Sequence, residues 1–190
     1  MVEHLKKIYR PNEKTLLACS GGPDSTALFY LLLELKKQLP DFDFQVFHLN
    51  HCLRGESAER DALFVQNLCE KNRILFYGSK EDVKSFSKNN HLSLEEAGRK
   101  IRYKKLLEIK EKQGFHSITT AHHADDQSEL FLMRLFQGAG IESLTGMKER
   151  KGIFIRPLLK IRKKELLQYL EKNSLSFRTD ETNSNQEFLR

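Results

Sequence analysis

Seven consecutive residues, Ser20-Gly21-Gly22-Pro23-Asp24-Ser25-Thr26, carry the densest chemistry in the chain. They follow a short apolar run and precede a long Leu-rich stretch, which makes them the loop between a strand and a helix. Backbone N–H groups from Gly21 onward then sit at the positive end of the helix dipole, an arrangement that favours phosphate. Glycine at 21 and 22 lets the backbone approach an anion with no Cβ in the way, and Ser20, Ser25 and Thr26 add hydroxyl donors. It is not a Walker A loop, because no Lys follows the glycines and the spacing to the hydroxyl pair is too short. Asp24 alone would repel a polyphosphate, so it makes most sense as a ligand to Mg²⁺ bridging the phosphates. A plain Gly-Gly turn with a Ser or Asp cap uses the same residue types.

Further along, Asp126 and Glu129 are three apart at the start of a Leu-rich stretch, so on a helix they share a face and can converge on one cation. Asp125 fits better as an acidic residue offsetting the helix dipole, a reading also open to the other two. His122 and His123 do not make a zinc site: neighbours at a strand end point apart, and no third ligand is evident. His123 can donate to a phosphate or simply cap the helix. Arg99 and Arg102 are three apart, and guanidinium groups suit phosphate. Arg102 is the stronger candidate, since an ion pair with Glu95 explains Arg99 as well. Arg54 lies in the loop after the second apolar run, where a ligand contact is possible, although a surface arginine is the better prior. Cys19, Cys52 and Cys69 are odd in number and widely spaced, without a Cys-x-x-Cys pair; they read as reduced thiols, with Cys19 packing at the end of a buried strand.

These groups need a frame. At 190 residues, 39% apolar and 31% charged, the chain suits one globular domain. Its longest apolar run is far short of a bilayer span, and the charged N-terminus lacks a signal-peptide pattern, so the expected compartment is the cytoplasm. The net charge of +6 is local: residues 148–178 hold ten Lys and Arg against three Glu, a surplus of seven, leaving −1 elsewhere. A polyanion-binding surface there, with Arg150, Lys151, Arg162, Lys163 and Lys164 as its candidates, is weighed against a solvated helix face.

Apolar patterning and turn residues predict strands at 15–19, 42–49, 74–78, 116–120 and 153–155, and helices at 26–35, 57–72, 93–113, 123–137 and 162–173. Ser57 is a candidate N-cap, Ser93 and Glu96 have capping-box spacing, and the Gly138-Ala139-Gly140 stretch closes the fourth helix. Alternation of this kind predicts an α/β fold: a parallel five-stranded sheet with helices on both faces and ligands beyond the carboxyl ends of the strands. The polar tail at 180–190 reads as a cut from a longer protein.

Ser-Gly-Gly-x-Asp-Ser after a first strand resembles the signature of the PP-loop ATP-pyrophosphatases, which have an adenine nucleotide alpha hydrolase-like, Rossmann-type fold. Within that group the chain is similar to the tRNA(Ile)-lysidine synthetase family. The matching stretches are Leu49-Asn50-His51-Cys52-Leu53-Arg54-Gly55-Glu56-Ser57, Glu95-Glu96-Ala97-Gly98-Arg99-Lys100-Ile101-Arg102-Tyr103, Ala121-His122-His123-Ala124-Asp125-Asp126-Gln127-Ser128-Glu129, Arg156-Pro157-Leu158-Leu159 and Asp180-Glu181-Thr182-Asn183.

The resemblance implies that ATP, cleaved between its α and β phosphates, adenylates the ring carbonyl oxygen of the first anticodon cytidine of an isoleucine tRNA with a CAU anticodon. The ε-amine of L-lysine then displaces AMP. ATP is expected on Ser20, Gly21, Gly22, Pro23, Asp24, Ser25 and Thr26, with Mg²⁺ on Asp24. Catalytic roles fall to Asp24, Arg102, His123, Asp126 and Glu129, and Asp126 with Glu129 would hold the lysine. Further C-terminal tRNA-binding domains are expected in such a protein, and a homodimer is an open assembly. Asn50 and Cys52 stand where the family has an acidic residue and a glycine, and Leu130 where a threonine is common. Two alternatives remain: a PP-loop tRNA thiolase, which needs cysteines this chain lacks, and an ATP-binding module without turnover.

Overall fold

The central strand of the protein is also its first. Lys14–Ala18 (β1) buries Leu16 and Leu17 on opposite faces, as a strand covered on both sides must. In the computed structural model, which describes residues 1–53, 55–138, 140 and 145–178, β1 lies between Asp43–Asn50 (β2) and Ser117–Thr119 (β4), parallel to both. Phe76–Lys80 (β3) extends the sheet beyond β2, again parallel. On the other side Phe154–Ile155 (β6) runs parallel to β4, and Arg150–Lys151 (β5) pairs antiparallel with β6 at the edge.

The sheet order is therefore β3-β2-β1-β4-β6-β5, with six strands rather than the expected five. The sixth is one arm of a two-residue hairpin turned at Gly152, whose φ is 58°. Strands this short show no alternation, which is why patterning reveals only one of them.

Helices cover both faces. Pro23–Gln38 (α2) follows the loop after β1 with proline at its first turn, where a missing N–H costs nothing, and buries Leu28, Phe29, Leu31, Leu32 and Leu35. It packs with Val2–Ile8 (α1) and Lys163–Lys172 (α7), and Glu56–Lys71 (α3) completes that face. Val83–Asn90 (α4) and Leu94–Lys112 (α5) cover the other face around Phe47, Leu106, Phe115 and Ile118. The Ser93–Glu96 capping box is present in both directions. Ser57 is not the N-cap of α3; Gly55 is, without a side-chain cap. Helices α1 and α4 escape pattern reading because they are one or two turns of mostly polar sequence, anchored by Leu5 and Val83 respectively.

The chain steps β1, β2, β3 in one direction and returns to lay β4 on the opposite side of β1. The loops after β1 and β4 consequently diverge and leave a crevice, the topological switch point where ligands of such sheets bind. A buried hydroxyl ladder fixes the two strands there: Thr15 Oγ1 lies 2.9 Å from Thr119 Oγ1, which lies 2.8 Å from the Tyr9 hydroxyl. Ala124–Phe136 (α6) leaves this crevice. It buries no residue, and Phe131, Leu132, Met133, Leu135 and Phe136 are exposed. Arg54, Ala139, residues 141–144 and the tail at 179–190, with its Asp180-Glu181-Thr182-Asn183 motif, lie outside the described residues.

Candidate active site

The loop after β1 is shaped by its own hydrogen bonds. Gly21 has a φ of 90°, and a Cβ there would also stand 3.2 Å from Val65 Cγ2, so glycine is required twice over. Thr26 Oγ1 donates to Gly21 O at 3.0 Å, Ser25 Oγ to Gly22 O at 3.2 Å, and Ser20 N to Ser25 Oγ at 3.2 Å. The hydroxyls expected as ligand donors are thus partly spent on the loop. Thr26 is fully buried, and Ser20, Gly22, Asp24 and Ser25 are the loop residues that line the cleft. From outside, Arg178 N donates to Gly21 O at 2.9 Å while its Nε donates to Asp61 Oδ1 at 3.0 Å, so the segment after α7 closes on the loop.

The cleft encloses about 430 Å³. Its far wall comes from the loop after β4 and the start of α6. His123 is buried, with Nε2 3.6 Å from Asp24 Oδ2 and Nδ1 3.6 Å from Oδ2 of both Asp125 and Asp126. Asp24 and these carboxylates raise its pKa against the opposing effect of burial. His122 points elsewhere, its Nδ1 2.8 Å from Thr120 Oγ1, and lines the cleft. Burial pushes its pKa down to about 4, so it is neutral at pH 7.

Asp126 lines the cleft and also accepts from His123 N at 2.8 Å, holding the first turn of α6. Glu129 is exposed one turn on and is not among the cleft-lining residues. Asp125 accepts from Lys163 N at 2.7 Å and ties the starts of α6 and α7 together.

Arg102 enters the cleft from α5, and Arg99 lies over the Tyr103 ring at 4.9 Å instead of pairing with Glu95. Asp24 Oδ1 is buried in this polar cleft without a hydrogen-bond partner, which fits a carboxylate reserved for a cation. Cys19 is buried beside Ser25, and burial raises its thiol pKa, in keeping with packing.

The basic stretch does not form one face. Arg162, Lys163 and Lys164 are exposed at the start of α7, beside the cleft mouth. Arg150 is elsewhere: from edge strand β5 its Nη2 donates at 2.7 Å to the buried side chain of Glu13, just before β1 at the amino end of that strand. An arginine neutralising a buried carboxylate is committed to the fold, which corrects its expected place in the basic face. Lys151 is exposed on that same edge strand, apart from the α7 group.

Pattern reading overlooked Asp61 and His48, which both line the cleft. His48 is a buried histidine in an apolar strand, its Nδ1 2.9 Å from Cys19 O, and only its polarity among Phe47 and Leu49 could have signalled it. Cys52 has a φ of 54°, the left-handed conformation that suits the glycine expected there, and Asn50 Oδ1 accepts from Cys52 N at 2.9 Å to hold it.

A match to the family described as PP-loop domain spans residues 1–190. The tRNA(Ile)-lysidine synthase of Clostridium perfringens (strain 13 / Type A) is 44% identical over 175 residues, which cover 92% of this chain and 37% of that protein. The enzyme of the same name from Bacteroides thetaiotaomicron is 38% identical over 188 residues, 99% of this chain and 42% of that one. The chain thus spans roughly two fifths of the length of these curated relatives. Among solved structures, the U34-tRNA thiolase NcsA from Methanococcus maripaludis matches with a TM-score of 0.77 at 21% identity, covering 94% of this chain and 64% of that one. The NH3-dependent NAD synthetase from Campylobacter jejuni matches at 0.59 and 16% identity, over 94% of this chain and 74% of its own. Both share the fold. With the diverging loops, the Gly21 turn and a family match over its whole length, the chain belongs to the PP-loop domain family.

Proposed function

We propose that this chain is the ATP-using part of a tRNA(Ile)-lysidine synthetase, ligating L-lysine to the first anticodon cytidine of an isoleucine tRNA with a CAU anticodon. The observation that carries the proposal is the convergence of Asp24, His122, Asp126 and Arg102 on one cleft at the switch point, in a chain 38–45% identical to proteins bearing that name.

The phosphates of ATP lie on the backbone N–H groups of the loop after β1, with Arg102 facing the pyrophosphate. Asp24 would hold Mg²⁺, which neutralises phosphate charge when bound. The cytidine carbonyl oxygen attacks the α phosphorus and pyrophosphate leaves. The lysine ε-amine then forms a C–N bond at the same ring carbon, the C–O bond breaks, and AMP departs. Asp126, with Glu129 behind it, attracts the ammonium group, and a carboxylate takes the proton the amine loses. His123 reaches the site through Asp24, whose carboxylate it orients.

Arg162, Lys163 and Lys164 support a tRNA contact beside the cleft, and Lys151 is a more distant candidate. In this proposal residues 1–190 are one domain, the grip on tRNA is shared with further domains of a longer protein, and the reaction takes place in the cytoplasm. Among the described residues, no helix is long and apolar enough to cross a membrane. A homodimer is supported by the exposed apolar face of α6, since a 13-residue helix with no buried residue is marginal on its own. Light scattering at two concentrations tests it.

The deciding experiment mixes the protein with ATP, labelled lysine and the CAU-anticodon tRNA. AMP and pyrophosphate should appear only when tRNA is present, and label should enter the tRNA. Pyrophosphate release without incorporated lysine would sink the assignment. A sulfur-transferring relative is the second reading, favoured by the fold likeness to a tRNA thiolase; against it, Cys19 and Cys69 are buried and Cys52 alone is exposed.

A further inference from the structure

Glycine stands at position 98 inside α5, a helix that runs unbroken from Leu94 to Lys112. An interior helical glycine weakens a helix relative to alanine, because it leaves the unfolded backbone more freedom to lose. Gly98 is buried and has helical backbone angles, so no left-handed turn calls for it. The neighbouring element does. A Cβ at 98 would stand 3.0 Å from both Cε1 and Nδ1 of His51, closer than a Cβ normally approaches a neighbour. Val83 Cγ1 lies 3.8 Å from the same point, an ordinary contact, and Val83 N donates to His51 O at 3.5 Å. Val83 is fully buried at the start of α4, so an added Cβ would have to displace the half-buried imidazole instead.

His51 lines the cleft where the chain leaves β2. The phosphate end of a nucleotide belongs at the loop after β1, so its other end runs across the sheet toward β2. There Leu49, Asn50, His51 and Leu53 line the cleft together, a wall part apolar and part polar. An imidazole offers such a ligand a flat face for a base and a ring nitrogen for a hydroxyl.

We propose that Gly98 is the seat of His51, and that His51, held against α5, forms the wall on which the nucleoside end of ATP is placed. Gly98 is a positioning residue that acts through His51, and His51 touches the ligand. The ligand half rests on the ATP-binding function proposed above. The seat does not.

The test is a cycle of His51→Ala, Gly98→Ala and the double variant in the full chain, reading ATP Kd by calorimetry and Tm. Each single variant should weaken ATP about tenfold, and the double variant should be no weaker than His51→Ala, because neighbours acting through one shared interaction are not additive. Gly98→Ala should raise Tm by about 2–4 °C when His51 is already alanine, and not when the imidazole is present. Equal Tm gains in both backgrounds overturn the seat. Unchanged ATP affinity in Gly98→Ala, or losses that add in the double variant, overturn the positioning role. If Gly98→Ala alone does not fold, rescue by His51→Ala supports the seat and failure of rescue overturns it. An unmodified chain that binds no ATP overturns the ligand half together with the proposed function, while the Tm cycle still decides the seat.

Discussion

His123 Nε2 lies 3.6 Å from Asp24 Oδ2, joining the start of α6 to the loop after β1 across the switch point of the sheet. A buried imidazole with carboxylates on both sides binds its proton more tightly than a free one. Below about pH 6.5 both the folded and unfolded forms are protonated and the stabilisation is fully present. As pH rises through the elevated folded value, the folded form gives up its proton and the gain is lost. NMR titration of His123 should therefore show a midpoint above about 6.5. Asp24→Asn should lower that midpoint and leave the far-UV spectrum unchanged. The same variant should also reduce pyrophosphate release by about a hundredfold, as loss of a key electrostatic group does.

His122 behaves in the opposite sense. Burial holds its folded pKa at about 4 while the unfolded chain takes a proton near 6.5, so stability falls as pH drops between those values. The loss approaches about 3 kcal/mol at the low end. Chemical denaturation at pH 7 and pH 4.5 should show a smaller pH-dependent loss in His122→Gln than in the unmodified protein.

Asp126 has two jobs and Glu129 has one. Asp126→Ala removes the acceptor for His123 N as well as a cleft carboxylate, so Tm should fall by about 2–4 °C, the size of a lost helix cap. Glu129→Ala, at an exposed position, should leave Tm within about a degree and raise the KM for lysine without weakening ATP. Equal loss of lysine and ATP binding in Glu129→Ala would count against its role.

Arg150 and the Arg162–Lys164 group should separate cleanly. Arg150→Ala leaves Glu13 buried without its partner and should destabilise the protein by about 3 kcal/mol, with the salt dependence of tRNA binding unchanged. Reversing Arg162, Lys163 and Lys164 should keep Tm and lower tRNA affinity, and it should flatten the salt slope by about one unit for each phosphate no longer neutralised.

The sequence alone determined a good deal of this protein. Strong periodicity and punctuation show β1, β2, α2, α5 and the switch-point loops, because a Leu-rich run after Gly-Gly or a Ser93–Glu96 box is a local signal with one physical outcome. The family resemblance grouped Asp24, Arg102, His123, Asp126 and Glu129 in one candidate site, and Asp24, Arg102 and Asp126 of that set line the cleft. Only the tertiary structure decided how the groups divide. Two histidines adjacent in the chain acquire opposite pKa shifts, since one is buried among carboxylates and the other without them at hydrogen-bonding distance. The cations of one stretch scatter: Arg162, Lys163 and Lys164 start α7 beside the cleft, Arg150 pairs with buried Glu13, and Arg178 pairs with Asp61, because charge count carries no direction in space. Gly98 reads from sequence only as a flaw in a helix; the imidazole that needs its empty space comes from 47 positions earlier in the chain. Such pairings depend on which strands end side by side, and that is a property of topology, to which local periodicity is blind.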